Sequence, residues 1–401
     1  MLILNTLARS FHSKFPVSLM FIYFLSMKRS VICCIVCLIV VLSFARQAFS
    51  QDATATENSY PLSDFFQYNP DLENRVGEIF QSLSDTQVVG QLIVPAVGRL
   101  GKETSYVANL VKEGKVGGVI LLNGTKSGFT QIVNNFDSIA AANANLPMIY
   151  SADAEPSLIG YKIKGSTKVK KANQVTSRKE VKQVAETIAG DLNDIGITHN
   201  FAPVVDVSPN NAAIGNRSFG NDKDTIINWS NVFISSMQEN GVLATAKHFP
   251  GHGLVKGDTH EKLVFIDGEM QEVDNYKPLI ADGVMSIMVA HIAVKNNEKY
   301  NTNGLPATCS REIVTDLLKD EMNFKGIIIT DAMNMGGVRR IPQSGLKAIQ
   351  AGCDMLLMPV NENKDINEIL AEMSENEAFK SQVHASVKKI IRFKLCLGLM
   401  E

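Results

Sequence analysis

The sequence predicts an α/β protein, a single (β/α)8 TIM barrel, and three observations carry that reading. Short apolar runs rich in branched residues occur eight times, longer amphipathic stretches separate them, and nearly every run closes on a polar residue. Near-continuous apolar strands alternating with helices imply parallel strands buried on both faces. Eight such units over roughly 300 residues match the usual size of a barrel. A doubly wound open sheet is the alternative that the pattern alone leaves open. The 401 residues, 45% hydrophobic and 20% charged, are ample for one large core.

Taken in order, the chain opens on a segment of a different kind. "MKRSVICCIVCLIVVLSFARQAFSQ" starts at Met27 with Lys28 and Arg29, runs apolar from Val31 to Leu42, and ends with small residues at Ala48 and Ser50. A positive start, a short apolar run and small residues read as a secretory signal cleaved near Gln51. We therefore expect 1–50 to be a signal or targeting segment with its natural start at Met27. Export to the periplasm or medium would follow, or membrane anchoring if the segment is not cleaved. Residues 51–70 are expected to be a polar tether and 71–401 the barrel, with a first helix near Asp71–Leu83. No stable membrane insertion is expected after cleavage, because the apolar run is short for a spanning helix.

The strand candidates are 90–98, 117–124, 147–153, 197–207, 243–251, 286–294, 326–337 and 354–360. Between them, 177–196 places Val181, Val184, Ala185, Ile188, Ala189 and Leu192 at helical spacing behind a Ser177-x-x-Glu180 capping box. Residues 309–324 repeat the pattern, with Ser310 as the expected N-cap. Cys33, Cys34 and Cys37 fall in the signal, and the separated Cys309, Cys353 and Cys396 read as buried thiols. The run Lys162, Lys164, Lys168, Lys170 and Lys171 reads as a solvated loop, and a net charge of −2 argues against nucleic acid as partner.

The polar strand ends are Asp153, Asp206, Lys247 with His248, His291 and Asp331. In a barrel these ends and the loops after them form one face, where chemistry is located. Asp331 follows three isoleucines and Thr330 and precedes a Gly-rich turn, so it is placed either to attack an electrophile or to cap the next helix. "KHFPGHGLVKGDTH" (247–260) holds His248, His252 and His260, three of the seven histidines. Such a cluster points to proton chemistry or to a metal. On its own terms His252, between two glycines, reads as a residue that holds the turn.

"KHFPGHG" followed by "DTH", "GNRSFG" at 215–220 and "ITDAMNMGG" at 329–337 together resemble family 3 glycoside hydrolases, within them the single-barrel β-N-acetylhexosaminidases. The resemblance runs from about Leu83 to 399. It implies a retaining enzyme that releases terminal β-linked N-acetylglucosamine from cell-wall muropeptide or chito-oligosaccharide fragments, as in peptidoglycan recycling. It implies Asp331 as nucleophile, His260 as acid/base on a loop after the fifth strand, and Asp258 as its orienting carboxylate. Asp153, Arg217, Lys247 and His248 match sugar-contacting positions, and His291 a strand-end position near the sugar. No cofactor or metal is implied. The expected partner is a small carbohydrate, and a monomer is expected.

The chemistry is coherent for these residue types. Retention needs a nucleophile on one side of the anomeric carbon and an acid on the leaving-group side. Histidine, with an unperturbed pKa of about 6.5, can both give and take a proton near neutrality, and a neighbouring aspartate fixes its tautomer. One departure stands out. Where the family commonly follows the third-strand acids with two glycines and an arginine, this chain has Pro156-Ser157-Leu158-Ile159-Gly160-Tyr161-Lys162. Lys162 would replace the arginine as a point charge without its planar fork. The competing readings are a metal-dependent barrel hydrolase using His248, His252 and His260, and a sugar-binding barrel without catalysis. The first needs three or four converging ligands.

Overall fold

Eight parallel strands form the wall of the barrel. They are β1 (Ile93–Val94 and Ala96–Val97, divided at Pro95), β2 (Gly118–Leu121), β3 (Ile149–Ala152), β4 (His199–Asn200), β5 (Leu243–Phe249), β6 (Ser286–Val289), β7 (Ile327–Thr330) and β8 (Leu356–Leu357). Each pairs with the next from β1 to β7. The Ile329–Met355 bridge joins β7 to β8, and Ile93–Leu356 and Val94–Leu357 return β8 to β1. The order is that of a closed (β/α)8 barrel, and closure removes the unpaired edges of an open sheet. Pro95 breaks β1 because it has no N–H to give the ladder. The strands read as continuous Val, Ile and Leu because both faces are covered.

The computed structural model describes residues 60–208, 211 and 213–400. The expected signal segment and residues 51–59 lie outside the described residues. Of the expected tether, 60–70 packs on the barrel instead of standing off it. A 3₁₀ turn at Leu62–Phe66 buries Phe65, whose ring meets that of Phe393 at 5.1 Å. The Arg392 guanidinium bonds the carbonyls of Asp64, Phe65 and Gln67 and the Glu73 carboxylate. Polar composition concealed this because the partners are main-chain carbonyls. The first helix is Pro70–Gln81, capped by Asn69, whose Oδ1 accepts from Asp71 and Leu72 N–H groups. Among the described residues no helix is long and apolar enough to cross a membrane.

The helix expected at 177–196 is Arg178–Asn193, and Ser177 Oγ accepts from Glu180 N–H. The Glu180 carboxylate turns to Thr176 N–H at 2.8 Å, so the box is capped from one side only. The helix expected at 309–324 is a wide π-helix, Glu312–Glu321, and Ser310 does not cap it. Its hydroxyl bonds the Glu312 carboxylate at 2.6 Å. Cys309, Cys353 and Cys396 are buried, and none of them forms a disulfide among the described residues.

The last helix, Glu377–Cys396, runs across the N-terminal ends of the strands. Lys389 bonds Gly326 O just before β7, and Lys394 bonds Gln91 Oε1 just before β1. Asp354, wholly buried ahead of β8, accepts from Lys389 at 2.8 Å, Ser386 Oγ at 2.7 Å and Ile328 N–H at 2.8 Å. Removing one partner of such a buried pair leaves the other charge uncompensated. Asp354→Ala is therefore expected to lower unfolding stability by about 3–5 kcal/mol, measured by chemical denaturation. A loss below about 1 kcal/mol would show that water replaces the carboxylate.

Candidate active site

At the C-terminal ends of the strands, side chains from β3, β5 and the loop after β4 build a buried ionic cluster. The Lys247 ammonium lies 3.0 Å from Asp153 Oδ1 and 2.7 Å from Glu155 Oε1. Arg217 grips Glu155 with two parallel bonds, Nε–Oε2 at 2.9 Å and Nη2–Oε1 at 2.8 Å. Burial would raise the Glu155 carboxyl, but Arg217 and then Lys247 hold it well below the carboxylate range. Burial would likewise lower the Lys247 ammonium, and Asp153 and Glu155 outweigh it, so the lysine stays charged. Lys162 approaches the other Asp153 oxygen at 3.5 Å. It brings a single point charge, without a planar fork, to that carboxylate.

Glu155 thus carries two cations and is 1% exposed. Glu155→Gln should destabilise the fold by about 3–5 kcal/mol near neutral pH. The sign with pH follows from the depressed carboxyl: its contribution is present above the unfolded-state pKa of about 4.3 and is lost as pH falls below it. The stability gap between the two proteins should hold from pH 7 to about pH 5 and narrow as pH falls toward about 3. A constant gap across that range would contradict the assignment.

His248 stands beside this cluster. Its Nδ1 is 2.7 Å from Asp206 Oδ2, and an ionised carboxylate only accepts, so Nδ1 carries the proton. Its Nε2 is 3.4 Å from Arg217 Nη2. Asp206 also accepts from the main-chain N–H groups of His248 and His252. Burial would raise the Asp206 carboxyl, and His248 outweighs it and keeps it low. His252 holds the turn through that N–H, and its Nε2 meets Thr259 Oγ1 at 3.1 Å.

Asp331 follows β7, its main-chain N–H bonded to Val289 O and its Oδ1 accepting from Ala332 N–H at 2.8 Å. Burial would raise its carboxyl, yet His248, His291, the Ala332 N–H and Lys247 bring it down to about 2. It is ionised at any working pH. His291 is wholly buried behind the Asp331 turn, with both ring nitrogens engaged by Thr308 Oγ1 and Ala332 O at 2.9 Å each. It braces that turn and offers no free nitrogen to a ligand.

His260 Nδ1 is 2.7 Å from Asp258 Oδ1, which also accepts His260 N–H at 2.9 Å. The ring is 65% exposed and its Nε2 is unbonded among the described residues. The loop is tied to the Asp331 turn through main chain: Gly337 N–H bonds Thr259 O at 3.0 Å, and Gly336 N–H bonds His260 O at 2.9 Å. Any side chain at Gly336 would strike Glu261 O and His260 O, which explains the paired glycines after "NM". The rings of the three clustered histidines therefore have separate side-chain partners, Asp206, Thr259 and Asp258. Among the described residues no three His, Cys, Asp or Glu side chains are grouped to hold a metal.

All eight residues that the family resemblance gave a site role lie at this end of the barrel or in its loops. Three others matter as much. Asp206 was visible as a strand end without a role. Glu155 was legible from Asp153-x-Glu155, two positions apart at one strand end. Glu272 gave no signal, because it sits in a polar stretch remote from the other motifs. It is buried, and its oxygens accept Val207 N–H at 2.8 Å and Leu254 N–H at 3.0 Å. Burial, and then the Asp206 carboxylate, push its carboxyl up to about 8.

Fold and site together define a class: parallel (β/α)8 barrels carrying an ionised strand-end carboxylate, a histidine–aspartate pair tied to it and a buried ionic cluster alongside. Within that class the chain belongs to glycosyl hydrolase family 3, whose N-terminal domain matches residues 85–393. Beta-hexosaminidase A of Pseudoalteromonas piscicida is 27% identical over 331 residues, covering 72% of this chain and 54% of that one. The structure of a family 3 β-N-acetylglucosaminidase from Paenibacillus sp. str. FPU-7 superposes with a TM-score of 0.72 at 26% identity, over 79% of this chain and 63% of that one. A β-N-acetylhexosaminidase from Beutenbergia cavernae shares the fold, with a TM-score of 0.68 at 24% identity, over 77% of this chain and 98% of that one. The chain spans about half the length of several curated relatives that it matches.

Proposed function

We propose that this protein is a retaining β-N-acetylhexosaminidase that hydrolyses terminal β-linked N-acetylglucosamine from muropeptide or chito-oligosaccharide fragments. The observation that carries the reading is the main-chain tie between the His260 motif and Gly336–Gly337, which brings a histidine with a free Nε2 to the turn after an ionised Asp331. In the first step Asp331 attacks the anomeric carbon while His260 Nε2 gives its proton to the departing oxygen. In the second, His260 takes a proton from water, which displaces Asp331 and restores the original configuration. Asp258 holds Nδ1–H and steadies the imidazolium. Asp153, Lys247, Arg217 and His248 supply a charged wall of donors and acceptors for sugar hydroxyls. The resemblance to β-N-acetylhexosaminidases supports the choice of sugar.

Purified protein should release the chromophore from 4-nitrophenyl N-acetyl-β-glucosaminide and cleave chitobiose, with β-configured product by NMR. Running the reaction with and without phosphate distinguishes hydrolysis from transfer to that anion. Sugar binding without turnover above buffer would overturn the catalytic reading.

A further inference from the structure

The stretch Pro250-Gly251-His252-Gly253-Leu254 has an unexpected centre, which is the side chain of Glu272. That carboxyl group arrives from a 3₁₀ turn, Gln271–Asn275, ahead of the helix Tyr276–Ala281. It bonds Val207 N–H in the loop after β4 and Leu254 N–H in the loop after β5. Both glycines lie against it, and Gly253 also against the Val207 carbonyl. A side chain at Gly251, where φ is +131°, would meet Glu272 Cβ and Oε2; one at Gly253 would meet Val207 O and Glu272 Oε1. The turn is wrapped on a buried carboxyl group, with no room for anything larger than hydrogen at those two positions.

From there the path to the acid/base motif is short and continuous. His252, fixed between the two glycines, reaches Thr259 Oγ1 through Nε2 at 3.1 Å, and Thr259 directly precedes His260. Asn211 Nδ2 adds bonds to His252 O at 2.6 Å and Val255 O at 3.0 Å, tying the loop after β4 to the same turn. That loop continues to Arg217. We propose that Glu272 is a positioning residue, whose carboxyl group sets the register of the β5 loop and, through His252 and Thr259, the placement of His260 for proton transfer. The inference rests on the assignment of His260 as acid/base in the function proposed above.

A misplaced acid harms reactions in proportion to how much protonation the leaving group needs. Glu272→Ala is therefore expected to lower kcat/KM, which reports the step that protonates the leaving group, at least about tenfold more on chitobiose than on 4-nitrophenyl N-acetyl-β-glucosaminide. Thr259→Val, which cuts the same path without opening a cavity, should show the same bias and remains informative if the first variant fails to fold. Hydrogen exchange at the Val207 and Leu254 amides should accelerate in Glu272→Ala. Equal losses on both substrates, or full retention of activity on both in either folded variant, would overturn the proposal while leaving the glycosidase reading intact. A wild-type protein inactive on both substrates would overturn the two together.

Discussion

Asp331→Ala is expected to lower turnover on every N-acetylglucosaminide by about 10⁴-fold or more, because no covalent glycosyl-enzyme can form without the carboxylate. Good and poor leaving groups should suffer alike. The Asp331 carboxyl is held down at about 2, so the acid limb of the wild-type pH–rate profile does not arise from this group. Added azide should restore part of the turnover in Asp331→Ala and give the α-configured glycosyl azide, since a small anion can fill the vacated space and attack once. Mass spectrometry of wild-type protein quenched during turnover should find one sugar unit attached to the peptide that contains Asp331. A variant retaining more than about a hundredth of wild-type kcat, or an adduct on another peptide, would remove Asp331 from the nucleophile role.

His260→Ala carries the second large effect and a different signature. Positioned acid/base groups contribute about 10²–10⁴-fold, and that whole factor should be lost on chitobiose, whose leaving alkoxide needs a proton. On 4-nitrophenyl or 2,4-dinitrophenyl glycosides the first step needs little help, so glycosyl-enzyme should accumulate and a burst of phenolate should precede a slow steady state. Asp258→Asn should reproduce the bias in weaker form. Its amide can still meet the ring but no longer supports the imidazolium. Equal loss of kcat/KM across leaving groups would exclude His260 as the acid.

The strands were legible because a barrel buries both faces of each one, which leaves unbroken runs of Val, Ile and Leu in the sequence. Strand-end residues were legible for the same reason, as polar side chains standing immediately after apolar ones. What stayed hidden depends on the chain meeting itself at a distance. Glu272 shows its importance only when Val207, Gly251 and Leu254 surround it, and nothing within ten residues of Glu272 hints at them. Ser310 looked like a helix cap, but the π-helix beginning at Glu312 widened the turn that a cap would close. The polar stretch before Pro70 looked like a tether because its anchors are carbonyl groups, which every residue type shares.

The grip of Arg392 on residues 64–67 has a practical consequence. The helix that carries it covers the N-terminal ends of the strands, opposite to Asp331 and His260. Coupling the described barrel to a bead or sensor surface through a linker at residue 60 or residue 400 would thus leave the mouth facing the liquid. The same coupling through a lysine in the loop after β3, such as Lys162, would put the attachment chemistry in the mouth itself.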